Sequence, residues 1–370
     1  MNINKWTVAL AAAGVVSLAS VANAQDAKET VKTLAASTTL SGYVSTSVNW
    51  TPSKAPGAQG YFANSGKTDR IALDVISLTV ASKAGEGEWA AGYKAQIWAG
   101  PDAAALGTAD AGADFAIKNA YISLRAPLGT GVDLKLGVFD TIIGYESTDR
   151  NVNPFYSHSY GFAIEPTQHT GLLASYRVSD AISLSAGIAN TTDAVINGAS
   201  TNTKRKTYMA AGTLTAPASF GFLKGTSVTV GWVGGRASAG ATTTDSLYVG
   251  GTIPLPIKDL SLGLAWDEEL KDRSADRSVL AAYLSYKVSD KLTANARYEY
   301  VDAGAGTVGD LTASHDLHGI TVGLDYKLWA NVTSRLEYRL DIGDDGSRTA
   351  AKINGLKKNN SVIANVIYNF

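Results

Sequence analysis

The chain of 370 residues contains no cysteine, which excludes disulfide frameworks, thiol nucleophiles and Cys-ligated zinc or iron–sulfur sites. Charged side chains are also scarce, at 18% of the residues against roughly 25% in an ordinary soluble domain. The formal net charge of −1 offers no overall electrostatic attraction for nucleic acid, so no nucleic-acid partner is expected. Beyond the N-terminus, no apolar run reaches the ~18 residues that a transmembrane helix requires. The sequence therefore disfavours a helical membrane protein, a nucleic-acid-binding protein and a thiol enzyme.

The N-terminus has the pattern of an export signal. Lys5 supplies a positive charge, residues 8–21 are apolar, and Ala22 and Ala24 form a small-x-small cleavage site. A short membrane anchor is the alternative, but the apolar stretch is short for a span and polar sequence follows it at once. We predict a cleaved signal peptide at 1–24, a short periplasmic segment at 25–38, and export to the outer membrane of a Gram-negative cell.

From residue 39 onward, apolar and polar residues alternate with a period of two, which is typical of strands with one apolar and one polar face. In residues 39–50, Val44, Val48 and Trp50 share one face, and Ser45 and Ser47 share the other. Sixteen such segments are predicted as strands: 39–50, 70–83, 88–99, 114–126, 132–142, 169–178, 182–190, 206–215, 226–236, 244–254, 260–268, 277–287, 291–301, 316–328, 330–341 and 359–370. Most are close to the roughly 9–11 residues that a tilted membrane strand needs.

The connections between these segments are of two alternating kinds. Tight polar turns such as 128–131 and 288–291 alternate with longer stretches such as 100–113 and 143–168. A soluble β-sandwich also shows period-two alternation, but an outer-membrane barrel in addition places short turns at one end and long loops at the other. We therefore predict an all-β fold, a transmembrane antiparallel up-and-down β-barrel of about sixteen strands over 39–370. Because the count is even, both termini are expected on the short-turn, periplasmic side.

Aromatic residues support a membrane location. Tyr176, Tyr286 and Tyr326 each lie just before a short turn on the apolar face, where an interfacial girdle belongs. The last strand ends on Phe370, which resembles the recognition signal of outer-membrane barrels, so Phe370 is expected to serve sorting and assembly through the barrel-assembly machinery. The outer wall is expected to contact lipid and lipopolysaccharide. The side chains predicted to contact lipid are Leu262, Leu264, Ile320, Val322 and Leu336.

The longest connection, 143–168, is the first candidate functional segment. It contains Glu146, Asp149 and Arg150, followed by the aromatic run 153–162. A loop of this length is usually functional or disordered, and its aromatic content argues against disorder. We predict that it folds into the lumen, where its carboxylates narrow the pore. The alternative is an extracellular loop that lies on the rim or makes subunit contacts.

A second group of charges lies on the polar face of the last strands. It comprises Arg297, Glu299, Asp325, Lys327, Arg335, Glu337 and Arg339. Charges at a constriction tune which solutes pass. The hypothesis is a transverse field between loop carboxylates and wall arginines that face water; the alternative is a self-neutralising ladder that stiffens the wall. The predicted constriction residues are Glu146, Asp149, Arg150, Arg297, Arg335, Glu337 and Arg339.

Signals for catalysis or metal binding are weak. His315 and His318 lie three apart in a predicted strand and so point to opposite faces, which is poor geometry for chelation. His158 is flanked by Ser157 and Ser159, but no Gly-x-Ser-x-Gly elbow surrounds either serine. No phosphate-binding or dinucleotide motif is present. We expect no enzymatic activity, no metal site and no cofactor.

The region around the long loop resembles a known family, the OmpL-like β-barrel porins of Gram-negative outer membranes. The resemblance depends on Gly137, Phe139, Asp140, Gly144, Glu146, Pro166, His169 and Gly171. It extends in pattern over 39–370 and implies an outer-membrane channel for small hydrophilic solutes; it fixes no substrate and supplies no catalytic residues to carry over. We therefore expect a water-filled channel for passive diffusion of small polar solutes and ions, assembled as a homotrimer. A solute-selective channel, for example for sugars, and a non-conducting structural or adhesive barrel are the alternatives.

Overall fold

The computed structural model describes residues 37–52, 67–85, 87, 89–108, 113–199, 205–238, 242–272, 275–302, 306–308, 311–313, 316–343 and 358–370. The predicted signal peptide at 1–24 and most of the 25–38 segment lie outside the described residues, as does His315.

The described chain forms a closed antiparallel barrel of sixteen strands. The barrel strands are β1 Thr39–Trp50, β2 Arg70–Ser82, β3 Ala91–Ala99, β4 Phe115–Ala126, β5 Val132–Asp140, β6 Gln168–Arg177, β7 Ile182–Ala189, β8 Thr207–Thr215, β9 Ser227–Arg236, β10 Thr243–Pro254, β11 Leu260–Lys271, β12 Arg277–Lys287, β13 Leu292–Asp302, β16 Leu317–Trp329, β17 Val332–Gly343 and β18 Lys358–Asn369. A two-stranded hairpin, β14 Gly306–Val308 and β15 Leu311–Ala313, lies between β13 and β16.

In the described part of the chain, short helices lie in the connections between barrel strands. The helices are α1 Pro101–Ala105 and α2 Tyr160–Ile164, with 3-10 turns at Arg150–Val152 and Ala218–Leu223. None of the helices in the described part of the chain is long and apolar enough to cross a membrane.

The predicted count of sixteen barrel strands and their up-and-down order are confirmed, since each strand pairs with its neighbours and β1 pairs with β18. The differences lie at strand ends. β3 begins at Ala91 rather than at 88, because Trp89 has a φ of 56°, which an extended strand does not allow. β11 continues to Lys271 rather than stopping at 268, because it stays paired with β10 as far as Thr244. The predicted loop 143–168 runs from 141 to 167, and we call it the inserted loop.

The two faces of the wall have the polarity that alternation predicts. Leu264, Ile320, Val322 and Leu336 point outward and are exposed, while Leu262 on the same face is half-buried. The inward positions are mostly polar, which is the reverse of a water-soluble protein and fits a barrel surrounded by lipid. Tyr286 and Tyr326 are likewise exposed beside short turns, and Tyr176 is half-buried.

Both chain ends of the barrel meet at the end that carries the short turns. The backbone of Phe370 exchanges two hydrogen bonds with Gly42, at 2.9 and 3.0 Å. A side chain at Gly42 would lie 2.7 Å from the Phe370 ring, so glycine allows the terminal aromatic to cover β1. The seam between β1 and β18 is therefore completed by the last residue of the chain.

Candidate functional site

The inserted loop (141–167) lies inside the barrel. Tyr156 and Tyr160, near its middle, are 1% exposed, because inward side chains of the wall surround them. The α2 helix begins after Ser159, whose side chain accepts a hydrogen bond from the Phe162 amide at 3.1 Å. The aromatic run that argued against a solvated loop thus packs within the lumen.

The centre of the loop is held by an ion pair with β13. Arg297 donates to Glu146 at 2.8 Å and to the Ser157 carbonyl at 3.0 Å, and its other side contacts Glu299 at 2.9 Å. Glu146 also accepts from the Tyr283 hydroxyl at 2.9 Å and from the Ser159 amide at 3.0 Å. Burial raises the pKa of Glu146, but Arg297, His158 and the Ser159 amide outweigh it and lower the pKa to about 2. Glu146 and Arg297 are therefore in direct contact and do not face each other across water.

The charges of β17 bind the loop backbone. Glu337 accepts from the amides of Tyr156 at 2.6 Å and Ser157 at 3.2 Å. Arg339 donates to the His158 carbonyl at 2.6 Å, and Arg335 donates to the Arg150 carbonyl at 2.6 Å. A buried charge is stable only when it has such partners. These contacts therefore give the buried charges of β17 their hydrogen bonds and also hold the loop in place.

The prediction that Arg297, Glu337 and Arg339 face water is therefore wrong. All three point inward, as the alternation requires, but they are 1%, 2% and 0% exposed. The physical reason is that the inserted loop covers them and supplies carbonyl oxygens, amides and the Glu146 carboxylate as partners.

Arg150 anchors the loop on the opposite side, at β1, β2 and α1. Its guanidinium pairs with Asp102 of α1 and lies 4.1 Å from the centre of the Tyr156 ring. The Tyr156 hydroxyl donates to Asp74 at 2.7 Å, and Asp74 also accepts from Ser45 at 2.8 Å. A register shift between β1 and β2 places Asp74 at this point. Arg150 is thus buried in a network and does not line open water.

Apolar contacts secure the first part of the loop. Tyr145 stacks on Tyr283 with ring centroids 4.2 Å apart, and Ile143 packs in a buried cluster with Phe139, Leu173 and others on β5–β12. A side chain at Gly231 would lie 2.5 Å from Ile143, so Ile143 can approach the wall only where β9 has a glycine. The loop is therefore held on three sides of the lumen.

Charged groups on β3–β5 form the remaining candidate site. Lys118 pairs with Asp140 at 2.7 Å and with Asp149 of the loop at 3.1 Å, and the Asp140 side chain remains 46% exposed. Lys94 on β3 and Lys135 on β5 are half-exposed. The three lysines were missed as site residues, although the polar face of 88–99, 114–126 and 132–142 contains them.

Two cavities lie beside residues 163–167 of the loop, which we call the returning limb. One, of about 240 Å³, is lined by Asp140, Gly144, Thr148 and Pro166. The other, of about 620 Å³, is lined by the same limb together with Asp193, Glu269 and others. Glu165, Pro166 and Thr167 line both cavities and therefore lie between them.

The remaining residues of the family pattern have structural roles. Gly137 has a φ of 135°, and a side chain there would lie 2.2 Å from the Ala120 carbonyl. A side chain at Gly171 would meet the Ile188 carbonyl at 2.1 Å, and one at Gly144 would meet Glu165. Phe139 and His169 lie side by side with ring centroids 6.2 Å apart. These residues shape the wall and the loop rather than a reactive centre.

Two of the described histidines, His158 and His318, contact aromatic side chains. His158 stacks on Phe162 at 4.1 Å and its Nδ1 lies 3.0 Å from Glu146, while His318 lies 2.9 Å from the Tyr298 hydroxyl. Within the described ranges, no group of three or more acidic or histidine side chains is arranged to hold a metal ion.

Comparison with known proteins gives a family and a fold. The family model described as "Putative beta-barrel porin-2, OmpL-like" matches residues 37–370, whereas no curated protein matches the chain. The anion-selective porin from Comamonas acidovorans aligns with a TM-score of 0.59 and 15% identity, over 90% of this chain and 99% of that one. OmpF of Salmonella typhi, in complex with daunomycin, aligns with a TM-score of 0.61 and 13% identity, over 90% and 97%. The trimer form of Vibrio cholerae OmpT aligns with a TM-score of 0.59 and 17% identity, over 90% and 99%.

Proposed function

Because the chain belongs to the OmpL-like β-barrel porin-2 family, we propose that it is a diffusion channel for small hydrophilic solutes and ions. The resemblance predicted from residues 137–171 is confirmed by the match over 37–370. The chain is thus an outer-membrane channel of Gram-negative type, and no enzymatic activity is proposed for it.

The observation that carries the proposal is the position of the inserted loop. The loop is buried against β1 and β2 on one side, against β11–β17 on the other, and through Ile143 against a buried cluster on β5–β12. The inward side chains of β3–β9 that remain half-exposed include Lys94, Tyr121, Lys135, Ser175 and Thr213. We assign the solute path to the space between these strands and the loop.

This path places the constriction at the β3–β5 side of the loop. Asp149 stays a candidate constriction residue, joined by Asp140, Lys94 and Lys135. The buried groups Glu146, Arg150, Arg297, Arg335, Glu337 and Arg339 act on the pore indirectly, by fixing the loop that narrows it.

Single-channel recording of the purified protein in planar bilayers tests the proposal. Steady ohmic steps support a diffusion channel, and block by one solute supports a solute-selective channel. Liposome swelling with sugars of increasing size then gives the size limit. The buried loop also suits a plugged structural barrel, and silence in the bilayer, with a folded barrel verified separately, would favour that function.

Assembly and orientation form a further part of the proposal. A homotrimer is supported by the trimer form of OmpT, a protein of similar fold, and chemical cross-linking in mild detergent tests it. We place both barrel termini in the periplasm because they lie at the short-turn end. Cleavage after Ala24 is tested by the mass of the mature protein, and contacts of Phe370 with the assembly machinery and of the wall with lipopolysaccharide are tested by cross-linking in cells.

A further inference from the structure

Three carboxylates on the β3–β5 side of the lumen have a cationic partner. Asp133 lies 3.2 Å from Arg125, and Lys118 contacts both Asp140 and Asp149. One lysine therefore contacts two carboxylates, and these three groups together carry a net charge of −1.

Three carboxylates on the covered side, Glu299, Glu337 and Asp341, do not reach the open space. Glu299 and Asp341 contact Arg297 and Arg339 within 4 Å, and Glu337 accepts amides of the loop. All of them are 2% exposed or less. Their charge is balanced under the loop and contributes little to the field in the channel.

Lys94 and Lys135 differ from these groups. In the described part of the chain, neither ammonium has a carboxylate within 4.0 Å. Lys135 lies 5.1 Å from the centre of the Tyr121 ring, and Tyr121 pairs with Lys94 across β3 and β4. The two lysines thus flank one tyrosine on the inner wall.

The charges around Lys94 leave a positive excess. Its electrostatic neighbours are Lys118, Lys135, Asp140 and Asp149. Together these five groups make three positive and two negative charges, an excess of one positive charge.

The wall that continues round from these lysines is neutral. The inward positions on β7–β10 in the described residues carry Ser, Thr, Gly, Ala, Val, Met, Tyr and Pro, and no charged side chain. Hydroxyl pairs cross this wall, as between Ser175 and Ser185 at 3.0 Å and between Thr213 and Thr229 at 2.8 Å. Nothing on this face offsets Lys94 and Lys135.

We infer that the channel prefers anions over cations, and that Lys94 and Lys135 set this preference. The anions meant are small inorganic anions and organic carboxylates. The inference rests on the proposed channel function and names the solute class that the same path admits. Each ammonium attracts an anion and repels a cation, and the hydroxyls of the neutral wall solvate the anion as it passes.

The size of the effect follows from Coulomb's law. In water, a unit charge about 7 Å from a permeant ion changes the population of that ion roughly threefold. Removal of both lysines changes the excess from one positive to one negative charge, so the preference should reverse. The effect should nearly vanish at about 1 M salt, where the screening length is about 3 Å.

The test is the reversal potential across a potassium chloride gradient, repeated with potassium gluconate as the organic anion. The double variant Lys94→Gln with Lys135→Gln is compared with Lys224→Gln, which removes the same kind of charge from an exposed turn between β8 and β9. We expect the wild type and Lys224→Gln to prefer anions, and the double variant to prefer cations at low salt, since each lost charge changes the ion population about threefold.

A second measurement works on channels that are already folded. Because the chain has no cysteine, Lys94→Cys gives a single thiol, which charged methanethiosulfonates modify in the bilayer. A positively charged reagent should restore the anion preference, and a negatively charged one should reverse it. If the channel conducts but neither the double variant nor the reagents move the reversal potential, the inference is wrong and the channel function stands. If the folded protein does not conduct, the proposed channel function is wrong, and the inference about anions is wrong with it.

Discussion

The Glu146–Arg297 pair allows a quantitative prediction about how firmly the inserted loop is held. Substitution Glu146→Gln keeps the shape of the side chain but removes the charge that Arg297, Tyr283 and the Ser159 amide bind. The guanidinium of Arg297 then keeps Glu299 as its carboxylate partner, and the loop loses its central ionic contact.

The magnitude follows from the pKa of Glu146, which is lowered from 4.5 to about 2 while the loop is docked. Each pKa unit corresponds to about 1.4 kcal/mol, so the ionised group favours the docked loop by about 3 kcal/mol at neutral pH. Because the docked value is the lower one, this contribution is present above the ordinary pKa of 4.5 and is lost as the pH falls toward 2. Glu146→Gln should therefore raise the detached fraction on the order of 100-fold at neutral pH.

Trypsin cleavage after Arg150 measures this fraction. Arg150 is 1% exposed in the docked loop, so the protease reaches it only when the loop opens. The cut at 150 is followed by mass spectrometry on the folded barrel in detergent. Asp290→Asn, in an exposed turn, is the control with the same loss of charge. If Glu146→Gln is cut no faster than this control, the ion pair does not hold the loop, and the assignment of Glu146 as an anchor is wrong.

Three further predictions follow from the barrel and the loop. Leu264→Arg, on the lipid face, should cost ~2–4 kcal/mol and lower the folded fraction in lipid vesicles, whereas Ser185→Arg, which faces the lumen, should fold normally; equal yields would refute the register. Burial and neighbouring Asp267 raise the pKa of Glu165, so the returning limb should loosen as the pH rises above the ordinary carboxyl range. Greater current noise at higher pH would show this loosening. Glu165→Gln should remove the pH dependence, and its persistence in that variant would point to another group. Deletion of Phe370 removes both backbone bonds to Gly42 and should slow barrel assembly, measured as the heat-modifiable fraction over time; unchanged kinetics would deny Phe370 that role.

The strands could be predicted because alternation is a local property. Whether Val44 or Ser45 points outward depends on the pleat and on the two solvents, lipid and water, so the sequence alone places both correctly. Irregularities in the pleat could not be predicted in this way. The register shift between β3 and β4 leaves both Lys118 and Asn119 buried, although a regular strand would place them on opposite faces.

The charges of the candidate site were only half predictable. Alternation places both Arg339 and Lys135 inward, but it does not say which of them the loop covers. That depends on contacts distant in sequence, such as Arg339 with the His158 carbonyl and Arg335 with the Arg150 carbonyl. The dense charges of β17 predicted a site there, but neighbouring charges of opposite sign form ion pairs with one another. Lys94 and Lys135 have no such carboxylate partner within 4.0 Å in the described residues.

The seam between β1 and β18 has a consequence for the order of folding. Asn365 of β18 donates to the Ser45 side chain at 2.9 Å, across a sequence separation of 320 residues. Ser45 and Tyr156 of the loop share Asp74, so the inserted loop is bonded to the same few residues that join the two ends of the chain. Contacts between such distant segments form late, because a long stretch of chain must be ordered first. The loop therefore reaches its final position in the same step that pairs β1 with β18. Until that seam closes, the channel of the folding barrel does not have its final width.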